Sequence, residues 1–195
     1  MKRRVLVLAL FVSIGAYGIC EAPWFSVGAD GRLGSTFTKP PRFPVKPQAD
    51  IAIAASMEFL PFEFLGLGTS LGYHWTKDSN LLGGFPYRAY SGIDLRIFLS
   101  SRFLTIVDGR AIRLQLGSNQ GVLMRLDRYD LTNLRFFYWG LFFHPFLEMG
   151  FRERPLLAVQ FTLPFDYYFR KDLDLSTSIG VGVNLRLYPL RNKWD

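Results

Sequence analysis

Segments in which apolar residues alternate strictly with small or charged ones recur along this 195-residue chain. In residues 51–59, one set of alternate positions holds Ile, Ile, Ala, Met and Phe, and the other holds Ala, Ala, Ser and Glu. Side chains of a β-strand point in turn to its two faces, so this pattern predicts strands with one apolar face. An all-β fold follows. Because no later apolar run is long and pure enough to cross a bilayer as a helix, the sequence argues against a helical membrane protein.

The alternating segments predict eight strands joined by connections of alternating length. Six strands are centred on residues 51–59, 65–75, 93–99, 112–116, 157–163 and 179–187, and two more lie near residues 24–37 and 137–151. Long loops are predicted at residues 38–49, 76–86, 118–134 and 170–174, and tight turns near residue 61, at 100–109 and at 152–155. This rhythm is typical of an up-and-down antiparallel barrel with two unlike ends. Ten strands stays open beside eight, because Asp108-Gly109 is a strong hairpin signal while Ser100 and Ser101 also interrupt the apolar face.

The composition of the less apolar face distinguishes a membrane barrel from a soluble one. It is built from Gly, Ala and Ser with charges of both signs. A soluble barrel fills its interior with bulky aliphatic side chains, and a sandwich covers its outside with Lys, Thr and Glu. Small side chains and opposed charges instead suit the narrow interior of an eight-stranded transmembrane β-barrel, where charges must pair. The charged residues predicted to line this lumen are Asp30, Arg32, Glu58, Asp94, Arg96, Arg113, Glu148 and Arg186.

Two further distributions support a membrane barrel. Arginine supplies the positive charge within the predicted strands, since Lys39, Lys46, Lys77, Lys171 and Lys193 all lie outside them. Aromatic residues gather at strand ends, as expected of rings that sit at the headgroup level of a bilayer. An aromatic core near the ends of a soluble sandwich stays open as the alternative. The residues predicted for two aromatic girdles are Trp24, Phe59, Trp75, Tyr87, Trp139, Tyr167 and Tyr188.

The amino terminus has the three-part form of a secretory signal peptide. Lys2, Arg3 and Arg4 precede an apolar run and then small residues, so residues 1–22 are predicted to be removed and residues 23–195 to form the barrel domain. Cleavage after Ala22 leaves a net charge of +5 rather than +7. Cys20 is the one cysteine, which excludes an intramolecular disulfide and a Cys-based zinc site. Lipid attachment at Cys20 is an alternative use of this segment.

These residues resemble the small outer-membrane β-barrel proteins of diderm bacteria, the group of the OmpA transmembrane domain, OmpX and OmpW. Residues 145–151 look like the strand in which a proline opens an aromatic and glycine alternation, and residues 179–188 look like the closing strand. The resemblance implies a bacterial outer-membrane location, contact with outer-membrane lipid, and insertion by the barrel-insertion machinery. Many members end in an aromatic residue that this machinery recognises, whereas Trp194 is penultimate here.

We expect a non-enzymatic barrel that is structural or binds a host or surface ligand through its external loops. Whether it also passes small solutes, like a narrow porin, stays open. The alternatives are a lipid-modifying barrel enzyme (acyl transfer or deacylation) and a secreted soluble β-sandwich. Ser70 and His74 are about 13 Å apart at the rise of a strand, so no catalytic dyad is predicted. With His74 and His144 expected at the rim or wall, no metal or cofactor site is predicted, and the scattered charges argue against nucleic-acid binding.

Overall fold

The computed structural model describes residues 24–39, 45–62, 64–77, 90–129, 135–151, 154–171 and 175–188. The predicted signal segment, Cys20 and Tyr87 lie outside these ranges. Among the described residues, no helix is long and apolar enough to cross a membrane. The strands are β1 (Trp24–Lys39), β2 (Lys46–Phe62), β3 (Leu65–Lys77), β4 (Tyr90–Asp108), β5 (Ile112–Tyr129), β6 (Arg135–Phe151), β7 (Arg154–Thr162), β8 (Phe165–Phe169) and β9 (Leu175–Leu187).

The strands close into one antiparallel ring. From β1 to β7 each strand pairs with the next one in the chain, β8 pairs with β9, and β1 also pairs with β9. β7 and β8 both lie between β6 and β9, so they are two parts of one wall strand, and the ring has eight positions. The ladder continues across the break, because the Leu163 N–H donates to the Pro145 carbonyl (2.9 Å) and the Gly180 N–H to the Pro164 carbonyl (3.1 Å). The eight-stranded barrel is confirmed, and the soluble sandwich and the ten-stranded barrel are wrong.

Two predicted connections are wrong, because segments that look like loops for their polar residues are parts of strands. β5 runs to Tyr129, so residues 118–129 are wall rather than loop, and this segment pairs with β4 and β6 along its length. β4 runs through the predicted turn at residues 100–109 to Asp108, with two irregularities of register after Arg102 and Thr105. The reversal between β4 and β5 comes directly after Asp108, where the Asp-Gly signal lies.

The stagger of the strands fixes the width of the barrel. A row of paired residues that starts at Leu116 returns to the same strand at Leu126, ten residues further along. Such a stagger tilts the strands strongly, by about 35–45°, and leaves an eight-stranded interior just wide enough for side chains to fill. The row passes through Leu147, Phe161, Val183, Gly31, Ile53, Tyr73 and Ile93.

The two faces of the wall differ as in a membrane barrel. Outward apolar side chains are exposed, with Leu71 60% and Val181 58% accessible, whereas the inward side chains beside them are buried. We call the end that carries the connections β1–β2, β3–β4, β5–β6 and β8–β9 the loop end, and the opposite end the turn end. In outer-membrane barrels the short turns face the periplasm and the longer loops face outward.

Glycines on the inner face make room for aromatic rings. A Cβ atom at Gly68 would lie 2.3 Å from Cζ of Phe98, and one at Gly117 would lie 2.3 Å from Cζ of Phe146. Both glycines lie on a strand adjacent to that of the ring, so each ring covers a glycine of its neighbour. The interior therefore also holds bulky side chains, in a cluster made of Phe98, Leu123, Tyr138, Phe142 and Tyr168.

Gly68→Val is expected to lower the free energy of unfolding by about 1–3 kcal/mol, because the new methyl groups overlap the Phe98 ring. Gly31→Val is the matched control, since a Cβ there meets nothing within 4 Å and the residue is exposed on the outer face. Denaturant unfolding in lipid vesicles measures both variants. Equal stability of the two variants would contradict the packing of Phe98 over Gly68.

Candidate functional site

The barrel interior is the candidate site, because it holds the charged side chains. The structure places seven of the eight residues predicted for the lumen in buried positions inside the ring, and Asp30 is half-buried there beside Arg32. Arg113 lies across from Asp108 in the β4–β5 register at the turn end. The interior charges fall into three groups along the barrel axis, at the turn end, in the middle and at the loop end.

Arg102 is the centre of the turn-end group. Its guanidinium donates to Glu58 Oε1 (3.2 Å) and to Glu148 Oε2 (3.1 Å). Arg102 on β4 therefore joins β2 and β6, the second strand away on each side. The guanidinium also lies over the Phe146 ring, 5.7 Å from its centroid. The planar fork of arginine suits simultaneous contact with two carboxylates. Each charge in this group is therefore compensated inside the ring.

The same group recruits polar side chains from the closing strands. Gln160 donates to Glu148 (2.5 Å), and Ser26 donates to Glu58 (3.3 Å), which also forms an ion pair with Arg186. These contacts link β1, β2, β6, β7 and β9 around Arg102. The turn end of the interior is thus closed by one connected network.

Tyr188 belongs to this network, so its predicted place in the aromatic girdle is wrong. Its hydroxyl accepts a hydrogen bond from Arg102 (3.1 Å) and donates one to Glu148 (3.0 Å), and the residue is 1% exposed. The reason is the alternation of faces along a strand. Tyr188 is two residues after inward-facing Arg186 and so shares its face, whereas Leu187 faces out.

The middle group is centred on Arg96. It lies 2.6 Å from Asp94 and 3.0 Å from Asp166, and His144 lies 2.6 Å from the other oxygen of Asp166. Arg32 pairs with Asp30 at 2.6 Å in the same part of the interior. Cations and carboxylates again alternate, as buried charges require.

The loop-end group is centred on Asp127. Its carboxylate accepts hydrogen bonds from Arg125 (3.0 Å) and Tyr138, and the His74 ring nitrogen lies 2.8 Å from it. Arg125 also donates to the Tyr168 hydroxyl (2.5 Å) and lies over that ring. Tyr168 in turn donates to Asp166, so the loop-end and middle groups are joined.

These groups border a small cavity. The cavity between the middle and loop-end groups has a volume of about 20 Å³, room for one water molecule. Among the residues that the structure describes, no group of three or more His, Cys, Asp or Glu side chains could hold a metal ion. The arrangement is therefore suited to filling and cross-linking the barrel.

Sequence reasoning missed the centres of two groups. Arg102 lay in a predicted turn, and Arg125 and Asp127 lay in a predicted loop, so none of them was assigned a face. With the correct strand ends, the alternation of inward and outward positions along β4 and β5 would have placed them inside the barrel. His74 and His144, expected at the rim or wall, are inside the ring, each beside an aspartate.

The other predicted girdle residues lie mostly on the outer face. Phe59 lies toward the turn end, and Trp75 toward the loop end; both are exposed. Trp139 stacks on Phe169 with ring centroids 4.2 Å apart, and Tyr167 packs on the same Phe169 at 5.1 Å. The side chain of Trp24 lies outside the described part of the chain, as does Tyr87.

Comparison with solved structures agrees with this architecture. The crystal structure of Neisserial surface protein A is similar over 86% of this chain and 99% of that one, with a TM-score of 0.56 and 13% sequence identity. The fold is that of a small outer-membrane β-barrel. The N-terminal β-barrel domain of OprF from Pseudomonas aeruginosa gives a TM-score of 0.48 at 12% identity, over 83% of this chain and 97% of that one. No protein-family model matches the sequence, and no curated protein does.

Proposed function

We propose that the protein is a non-enzymatic anchor in the bacterial outer membrane that presents its loop end to surface ligands. The observation that carries this proposal is the interior network: three groups of ion-paired and hydrogen-bonded side chains lie inside the ring, and the middle and loop-end groups are joined. A barrel cross-linked in this way is a rigid support. Solute passage requires the side chains around Arg102 and Arg96 to move apart.

Planar-bilayer recording tests the closed interior. The refolded protein is expected to give no stepwise conductance, because the network around Arg102 blocks the turn end. The quadruple variant Glu58→Ala/Arg102→Ala/Glu148→Ala/Arg186→Ala removes two cations and two carboxylates of that network together, and is expected to conduct. Steady conductance from the unaltered protein would contradict the closed anchor and support the narrow porin.

The described strand ends at the loop end include several basic residues. None of the described strand-end residues there is acidic, and Lys39, Lys46, Lys77 and Arg135 are basic. Lys39 and Arg135 are exposed, as are Arg128 and Lys171 nearby. Three of the lysines predicted to lie outside strands, namely Lys39, Lys46 and Lys77, are instead the end residues of strands. Basic side chains attract anionic polymers, and we infer an anionic surface polymer as the ligand.

Binding to heparin, a sulfated polysaccharide, tests this ligand class against uncharged dextran. The triple variant Arg128→Gln/Arg135→Gln/Lys171→Gln is expected to bind heparin more weakly, while Arg110→Gln in the exposed turn at the opposite end is the control. Binding of the unaltered protein is expected to fall as the Debye length shortens from about 10 Å at 0.1 M salt to about 3 Å at 1 M. Equal binding of dextran, or an unchanged triple variant, would argue against this ligand.

The lipid-modifying alternative finds no support in the serine and histidine positions. Ser70 and His74 both point into the interior and are buried, so neither reaches lipid at the outer wall. His74 is held by Asp127 and Arg125, and Ser178 donates to Asp50 at 3.4 Å. We therefore keep a non-enzymatic role in the proposal.

A further inference from the structure

The outer face of the barrel contains a few polar side chains within its apolar belt. Several of them satisfy their hydrogen bonds within the wall. The Thr69 hydroxyl donates to the Arg96 carbonyl (3.0 Å), and the hydroxyls of Ser101 and Ser118 are 3.1 Å apart. Gln120 differs, because its exposed amide makes no hydrogen bond with any described residue.

Gln120 lies at mid-depth of the wall. It is the ninth residue of the 18-residue strand β5, and its register partners are Leu99 on β4 and Phe143 on β6. Both partners face outward and are exposed, 41% and 47%. Paired residues of a ladder share a face, so the Gln120 amide points into the hydrocarbon layer. A polar group without a partner is unfavourable there.

A second copy of this chain provides a matching group at the right depth. Copies inserted with the same orientation are related by an axis along the membrane normal, so each residue of one copy meets residues at equal depth in the other. A carboxamide carries both donors and an acceptor. Two Gln120 side chains facing each other across such an axis therefore satisfy each other, as polar side chains do between membrane-embedded segments.

We propose that the face made of Leu99, Ser118, Gln120, Val122 and Phe143 is the contact surface of a twofold-symmetric dimer in the membrane, with Gln120 of each copy hydrogen-bonded to Gln120 of the other. Leu99 and Phe143 flank the amide and supply apolar contact. Ser118 is a small, buried residue whose hydroxyl contacts Ser101 in the same wall. No large side chain at this position therefore shields the Gln120 amide. The surface is independent of the loop end and of the interior network.

Disulfide cross-linking in lipid vesicles tests the geometry. In a Cys20→Ser background, Val122→Cys, which lies on the proposed face and retains the Gln120 amide, is expected to form a covalent dimer on mild oxidation. Ala55→Cys is the matched control, because Ala55 is also exposed on the outer face near the middle of its strand, on another part of the ring. Equal cross-linking of Val122→Cys and Ala55→Cys, or cross-linking of Val122→Cys only to a different protein in native membranes, would overturn the proposal.

Energy transfer between labelled copies in vesicles tests the hydrogen bond. Gln120→Leu is expected to weaken dimerisation about tenfold, while heat-modifiable migration on gels shows that the barrel remains folded. Gln120→Asn retains the amide and is expected to restore part of the affinity. Because leucine suits the lipid face, lost association with a folded barrel cannot be attributed to misfolding. A monomeric unaltered protein, or equal association of the unaltered protein and Gln120→Leu, would overturn the proposal.

Discussion

Arg102→Met is expected to lower the free energy of unfolding by about 3–5 kcal/mol, the effect of removing one partner from a buried ion pair. The guanidinium contacts both Glu58 and Glu148, so its loss leaves Glu148 without its cation, while Glu58 keeps only its ion pair with Arg186. Tyr188 loses a donor at the same time. The measurement is denaturant unfolding of the refolded protein in lipid vesicles, followed by tryptophan fluorescence.

Two companion variants separate charge from volume. Arg135→Gln removes an exposed arginine at the loop end and is expected to change stability by less than about 0.5 kcal/mol. Glu58→Gln/Arg102→Met/Glu148→Gln/Arg186→Met removes two cations and two carboxylates together and is expected to recover part of the loss. If Arg102→Met were as stable as Arg135→Gln, the turn-end network would not hold the barrel together.

Leu71→Arg is expected to destabilise the folded barrel in lipid by about 2–4 kcal/mol, the effect of a cation on the lipid face near the bilayer midplane. Leu71 is the seventh of the 13 residues of β3, and its side chain is 60% exposed. At an exposed position of a water-soluble protein, the same change would alter stability very little. The size of this destabilisation therefore reports whether the outer face meets lipid or water.

Leu126→Arg is the depth control for that substitution. Leu126 also faces out but lies three residues from the loop end of β5, where the expected effect falls to about 0–1 kcal/mol. Unfolding in vesicles measures both variants. Equal effects at the two positions would argue against a bilayer of ordinary thickness centred on the wall.

Alternation along the strands determines most of the fold, and it does so because each inward residue of an eight-stranded barrel is enclosed. Alternation of inward and outward positions alone puts Glu58, Arg96 and Arg186 inside. The same alternation, continued past the end of β9, also puts Tyr188 inside. The prediction for Tyr188 failed because its aromatic character was given more weight than its parity. An amphipathic ring at a strand end serves equally well as a hydrogen-bond donor to a buried carboxylate.

Strand ends and ion-pair partners were harder to predict. The polar segment 118–121 resembles a loop, yet Ser118 pairs with Ser101, and Asn119 is buried inside the ring. Which cation meets which carboxylate depends on the stagger of the whole ring. Arg102 and Glu148 are 46 positions apart in the chain, and their contact follows from the tilt rather than from any local pattern.

Spin labels placed one at a time along β4, from Ile93 to Ser100, test the orientation of the two faces most directly. Accessibility to oxygen, which concentrates in lipid, and to a water-soluble nickel complex is measured in vesicles. The structure predicts high oxygen accessibility at Ile93, Leu95, Ile97 and Leu99, and low accessibility to both reagents at the alternate, buried positions. Nickel accessibility at the four apolar positions, or the absence of alternation, would contradict a closed barrel with its apolar face in lipid.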